Sequence, residues 1–167
     1  MESDVTVRRA RTSDVPAIKG LVDAYATRGI LLRKNTVTLY EDVQEFWVAE
    51  VGDEVVGCGA LHVLWEDLGE IRTLAVDPAW RGRRIGDLMV GRLIGAALEL
   101  GLARIFVLTF EVGFFVRHGF AEIEGSPVDP AAYEEMLGSY DEGVAEFLDL
   151  EYVKPNTLGN TRMIRFL

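Results

Sequence analysis

Three arginines fall within four positions of a chain whose formal net charge is -10, in the segment Arg81-Gly82-Arg83-Arg84-Ile85-Gly86-Asp87. It follows an apolar run, Leu74-Ala75-Val76, that stops at Asp77-Pro78, and it opens onto a stretch with helical spacing. A basic, glycine-bearing loop at a helix N-terminus suits an anion, because unpaired backbone N–H groups and the positive end of the helix dipole face the same ligand. Glu70 stands at the start of the strand that leads into this loop. A carboxylate in a partly dry cleft can take a proton from an ammonium group, a contribution of about 10²–10⁴ in rate. An exposed strand-end charge, or a partner for Arg72, is the plainer reading of the same residue. Thr109 closes another apolar run and offers a hydroxyl, or only a strand-end bond to backbone. Arg33, Arg72 and Arg162 carry the planar fork that holds carboxylates. Lys154 and Asn156 lie in the polar segment Tyr152-Val153-Lys154-Pro155-Asn156, which suits a pocket lid or an ordinary connector. Surface solvation is the alternative for each of these polar residues.

The elements that must position these groups follow from periodicity and punctuation. Thr6 to Arg9 reads as a strand. Ser13-Asp14 caps a helix with Pro16 in its first turn and Val15, Ile18, Leu21, Val22 and Tyr25 on its apolar face. A short helix runs from Thr38 through Val43. Strands are predicted over Phe46 to Val51, Val55 to Trp65 and Glu70 to Val76, forming a meander. Alternation puts Glu70, Arg72, Leu74 and Val76 on one face. The helix from Ile85 to Leu100 buries Ile85, Leu88, Met89, Leu93, Ala96, Ala97 and Leu100. Arg104 to Phe110 reads as a buried parallel strand, Val112 to His118 as a short helix and Gly119 to Glu124 as a strand. Helices follow from Asp129-Pro130 to Leu137 and over Glu142 to Asp149. Met163 to Leu167 reads as a closing edge strand, an edge on which a second copy could pair, so a homodimer is one expectation. The fold class expected is mixed α/β in a single domain over 1–167.

Composition narrows the function classes. With 49% hydrophobic and 26% charged residues, the chain has the makeup of a globular domain. Its acidity argues against nucleic-acid or anionic-membrane partners, and no apolar run approaches the ~20 residues of a membrane span. Glu2 and Asp4 do not fit the basic start of a signal peptide, and the one cysteine, Cys58, fits a reducing compartment, so a cytoplasmic location is expected. Cys58 reads as a small core residue rather than a nucleophile. His62 and His118 stand apart from any metal-spaced cluster, so no metal is expected.

The pattern from Leu74-Ala75-Val76-Asp77-Pro78 through Leu93, with Phe106-Val107-Leu108-Thr109 and Phe114-Phe115-Val116-Arg117-His118-Gly119-Phe120, resembles the GNAT superfamily of N-acetyltransferases. That resemblance implies acetyl-CoA as cosubstrate. It implies that the strand before the loop splays from its neighbour at a bulge, that Leu74, Ala75 and Val76 pair with the pantetheine arm, and that Arg81 to Asp87 wrap the pyrophosphate. The family's first loop glycine is Arg84 here, so an ordinary right-handed backbone angle is expected at that position. Phe114-Phe115 stands where the family often has a tyrosine that protonates the leaving thiolate, and Thr109 is one substitute donor. Phe110, Phe114 and Phe115 are candidates to line the pantetheine channel or, equally, to pack in the core. By the same resemblance Glu70 is the base and the Leu74 N–H donates to the oxyanion.

A narrower likeness is to the acetyltransferase domain of N-acetylglutamate synthases, through Gly29-Ile30-Leu31-Leu32-Arg33, Gly57-Cys58-Gly59-Ala60-Leu61 and Gly69-Glu70. It implies acetylation of the α-amine of glutamate at the start of arginine synthesis, with Leu31 and Arg33 in the acceptor pocket. Asp67 departs from that pattern, which tends to have lysine there, and this opens glutamine as the acceptor. The rival readings are acetylation of a peptide or another amine, and a non-catalytic acyl-CoA-binding module.

Overall fold

The computed structural model describes residues 4–157 and 159–167, with the side chain of Asn156 outside the described residues. Seven strands are hydrogen-bonded in the order β1-β2-β3-β4-β5-β7-β6. They are β1 (Val5–Arg9), β2 (Phe46–Val51), β3 (Glu54–Trp65), β4 (Leu68–Val76), β5 (Arg104–Thr109), β6 (Ala121–Glu122) and β7 (Thr161–Phe166). The helices are α1 (Val15–Ala26), α2 (Thr36–Glu41), α3 (Ile85–Glu99), α4 (Val112–Arg117), α5 (Pro130–Met136), α6 (Glu142–Phe147) and α7 (Lys154–Thr157). Among the described residues no helix is long and apolar enough to cross a membrane.

The chain forms two compact units, one of residues 1–62 and 71–100, the other of residues 63–70 and 101–167. In the first, β1 pairs antiparallel with β2 and β2 with β3. Alternation along these strands gives each face its own partner. Phe46, Val48, Cys58 and Ala60 join Val15, Ile18, Leu21, Val22 and Tyr25 of α1 in one core. On the opposite face, Gly57 and Gly59 let α3 approach: a β-carbon on Gly57 would meet Ile85 Cγ2 at 3.3 Å, and one on Gly59 would meet Leu93 Cδ1 at 3.1 Å. Asp14 occupies the N-cap of α1, but its carboxylate turns back to accept from the Arg11 N–H at 2.6 Å rather than capping α1. The helix α3 buries Ile85, Met89, Val90, Leu93, Ala96 and Ala97, whereas Leu88 and Leu100 are exposed. Leu88 lies on the shoulder of the stripe and Leu100 lies beyond the last turn.

In the second unit, β4 pairs parallel with β5 over Leu68–Glu70 against Arg104–Phe106, and β5 pairs antiparallel with β7. The strand expected over Gly119 to Glu124 shrinks to two residues, because Gly119 takes φ 85° and ends α4. Those two residues pair with Met163 and Ile164, so β7 is internal to the sheet and not the edge expected. The pairing surface that suggested a homodimer is therefore covered there. Phe106 and Phe147 anchor this unit's core, edge to face at 5.0 Å.

Candidate active site

The first unit carries the basic loop expected to hold an anion. Asp77 accepts from the Ala79 N–H at 2.9 Å and its own N–H donates to the Val56 carbonyl at 2.8 Å, which fixes the exit from β4. The loop then turns through two left-handed positions, Gly82 at φ 80° and Arg84 at φ 60°, before α3 begins at Ile85. The right-handed angle expected at Arg84 is thus corrected: the entry to α3 needs a left-handed residue, and arginine adopts it at a cost of about 1 kcal/mol. Nothing lies within 4 Å of the position a Gly82 β-carbon would take, so the backbone is open to a ligand. Arg81, Arg83 and Arg84 are exposed, with Arg83 stacked on Trp80 at 4.5 Å and Arg81 over Tyr25 at 5.9 Å. Gly86 and Asp87 are half-buried in the first turn of the 15-residue helix. Exposed guanidinium groups, an open glycine backbone and a helix N-terminus together form a donor set that fits a diphosphate.

Leu74, Ala75 and Val76 end β4. Thr73 just before them has φ 57°, a costly angle for a β-branched residue. Across it the alternation holds, with Arg72, Leu74 and Val76 half-buried and Ile71, Thr73 and Ala75 buried, whereas Glu70 is buried. The Leu74 side chain faces α3, within 3.0 Å of where a Gly59 β-carbon would be, whereas Ala75 joins the α1 core. Cys58 lies between, wholly buried, its thiol donating to the Thr73 carbonyl at 3.5 Å, and burial pushes that thiol up to about 12. It is a core residue, as expected. Leu31 packs half-buried against the α1 core, Arg33 is exposed and Arg72 is half-buried.

The second unit holds the remaining candidates. Glu70 is buried at 6% exposure, at the last pair of the β4–β5 ladder, opposite Phe106. Arg162 lies over that same Phe106 ring at 5.0 Å and feels the charges of Asp149, Glu70 and Glu146. Burial pulls its guanidinium down from the ordinary arginine range, ahead of those carboxylates' opposing effect. Its donors reach the backbone carbonyls of Gly125 at 2.8 Å, Glu146 at 2.8 Å and Phe147. This geometry makes it a pin for the segments around β7. Lys154 pairs with Asp149. Thr109 is buried and its Oγ1 accepts from the Glu111 N–H at 2.8 Å, the strand-end arrangement weighed above, with the hydroxyl proton still available to donate. Phe115 is core, edge to face with Phe120 at 5.2 Å, and Phe114 is half-buried against it. Asp67 pairs with Arg104 at 3.1 Å, and its carbonyl accepts from the Ala103 N–H at 2.9 Å. An acidic residue at that position thus has a structural task.

The acetyltransferase (GNAT) family profile matches residues 20–120. The chain belongs to that family. A Mycobacterium tuberculosis amino-acid acetyltransferase is 68% identical over 164 residues, covering 96% of this chain and 94% of the relative. A solved M. tuberculosis protein in complex with CoA and NLQ has a TM-score of 0.94 at 68% identity, covering 97% of this chain and 99% of that one. The N-acetylglutamate synthase of Neisseria gonorrhoeae, complexed with coenzyme A and N-acetyl-glutamate, has a TM-score of 0.78 at 25% identity; this chain, matched in full, corresponds to 36% of it. The mixed α/β GNAT fold expected from sequence is the one observed, and the GNAT chain is an acetyl-CoA-dependent N-acetyltransferase.

Sequence reasoning missed Tyr25. Periodicity places it as one more apolar position of α1, yet a phenol among aliphatic side chains must find a partner for its hydroxyl. That hydroxyl donates to the Val76 carbonyl and accepts from Arg81 Nη2 at 3.2 Å.

Proposed function

We propose that this GNAT chain acetylates the α-amine of a free amino acid, with L-glutamate the leading acceptor and L-glutamine next. The observation that carries this reading is the likeness, at 68% identity and nearly full mutual coverage, to an amino-acid acetyltransferase and to a structure holding CoA and NLQ. A cytoplasmic setting, and a place at the start of arginine synthesis, belong to the same reading.

Acetyl-CoA supplies an activated acetyl thioester. The backbone of Arg81 to Asp87 and the guanidinium groups of Arg81, Arg83 and Arg84 hold its phosphates. Leu74, Ala75 and Val76 offer backbone groups to the pantetheine arm, and Phe114 and Phe115 bound its channel. The Glu70 carboxylate accepts a proton from the acceptor's ammonium, directly or through water, so that the amine is neutral when it attacks. The Leu74 N–H donates to the acetyl oxygen as negative charge grows there. Thr109 Oγ1 keeps a hydroxyl proton with which to hydrogen-bond the departing thiolate, whose proton comes from the amine nitrogen as the tetrahedral intermediate collapses. Leu31 and Arg33 line the acceptor pocket. Arg72, Lys154 and Asn156 are secondary partners for the acceptor's carboxylates, and Arg162 acts behind them on the backbone.

The test is thiol release from acetyl-CoA with each amino acid offered singly, in the wild type and in Glu70→Gln. Turnover with glutamate or glutamine alone, and a loss of at least about 100-fold in kcat for Glu70→Gln with CoA affinity kept, is the expected result. Turnover only with peptides or other amines overturns the acceptor assignment. An unchanged rate in Glu70→Gln removes the base.

A further inference from the structure

Tyr25 touches two loops at once. It closes the apolar stripe of α1 at 8% exposure. Its hydroxyl binds the Val76 carbonyl, the last of β4, and the Nη2 of Arg81, the first arginine of the anion loop. The Arg81 guanidinium also sits 5.9 Å from the ring centroid. The Tyr25 carbonyl meanwhile accepts from the N–H of Ile30 at 3.0 Å and of Arg28 at 3.2 Å. Those bonds fold the turn through Gly29, φ 70°, from which Leu31 and Arg33 depart. One residue therefore fixes the start of the acceptor loop through its backbone and the end of β4 with the anion loop through its side chain.

We infer that Tyr25 is a positioning residue that couples the acceptor loop to the acetyl-CoA loop. Its phenol has one proton, and that proton goes to Val76. A lone pair then accepts from Arg81 Nη2, which helps to fix the direction of that guanidinium. A guanidinium held in place loses less freedom when it meets a phosphate, so affinity is gained without a new contact. This inference rests on the reading of Arg81 as a phosphate ligand given above.

The test measures CoA dissociation constants by titration calorimetry for the wild type, Tyr25→Phe, Arg81→Ala and the double variant. Tyr25→Phe is expected to weaken CoA about fivefold in the wild-type background, the worth of one buried hydrogen bond. In the Arg81→Ala background the same change is expected to have less than about a twofold effect, because the residue it acts through is gone. In steady state, Tyr25→Phe raises KM for acetyl-CoA while kcat stays close to that of the wild type. A merely structural role would lower the melting temperature and leave this split unmoved. Arg81→Lys is the second variant. It keeps the charge at an exposed position but loses the fork needed to reach phenol and phosphate together, and it should show the same loss. Equal weakening by Tyr25→Phe in both Arg81 backgrounds, or none in either, overturns the inference. Wild-type affinity in Arg81→Ala overturns instead the phosphate role of Arg81, and the inference falls with it.

Discussion

Arg84 carries a full side chain at a backbone angle that glycine adopts freely. Nothing in its residue type announces this, since the absence of glycine at that position predicts an ordinary angle. The entry to α3 outweighs the residue preference: the backbone turns left-handed just before Ile85, and about 1 kcal/mol of strain is tolerable in return for a third guanidinium on the loop we propose to hold the phosphates. Arg84→Gly should therefore raise the melting temperature while weakening acetyl-CoA about threefold, the scale of one exposed ion pair. Thermal melts without ligand, paired with CoA titration, check both halves. Unchanged affinity would mean that the Arg84 side chain is only solvated. Thr73 teaches the same lesson in β4, where a β-branched residue takes φ 57° although its residue type disfavours that angle.

At the level of elements, the core-forming strands and the long helices were legible because their apolar periods are long and their ends are punctuated. The strand β2 and the start of α3 fall where Phe46, Val51 and Ile85 mark them. The last strands were less legible, since the two-residue β6 leaves no periodic signal and only its pairing with Met163 and Ile164 makes β7 internal. The glycines of β3 carried a likeness in the sequence, and the structure supplies their physical reason. A β-carbon on Gly59 would lie 3.0 Å from Leu74 Cδ1 and 3.1 Å from Leu93 Cδ1. Gly59→Ala must therefore push the ends of the Leu74 and Leu93 side chains aside by a few tenths of an ångström, and should cost about 1 kcal/mol of stability. Gly91→Ala, on an exposed position of α3 with nothing within 4 Å, should instead gain about 0.5–1 kcal/mol and leave turnover intact. Urea denaturation and kcat for the pair separate a close approach between sheet and helix from a general intolerance of added methyl groups; equal effects at both sites would refute it.

Across the whole molecule the charge is unevenly shared. The unit of residues 63–70 and 101–167 contains fourteen carboxylates against five arginines and lysines, whereas the unit bearing the anion loop is nearly balanced. The loop we propose for the anionic cosubstrate thus lies on the less acidic unit, which would favour approach at low ionic strength. Within that nearly balanced unit one ion-pair cluster stands out. Arg8 grips both oxygens of Asp14, at 2.8 and 3.0 Å, and also reaches Glu50 at 2.8 Å, which ties β1 to β2 and to the entry of α1. The Arg8 hydrogen bonds, aided by the Arg11 N–H, hold the Asp14 carboxyl below its ordinary value of 3.8, against the opposing effect of burial. A carboxyl depressed in the folded state stabilises fully above its unfolded value, and that contribution is lost as pH falls through the folded one. The wild type should accordingly exceed Asp14→Asn by about 2 kcal/mol at neutral pH, the worth of a charged hydrogen bond. The margin should stay constant down to about pH 5, where the unfolded-state carboxyl begins to bind protons, and shrink progressively below it. Denaturant titrations across that range read the margin directly. A difference that does not change with pH would place the stabilisation in the packing of Asp14 rather than in its charge.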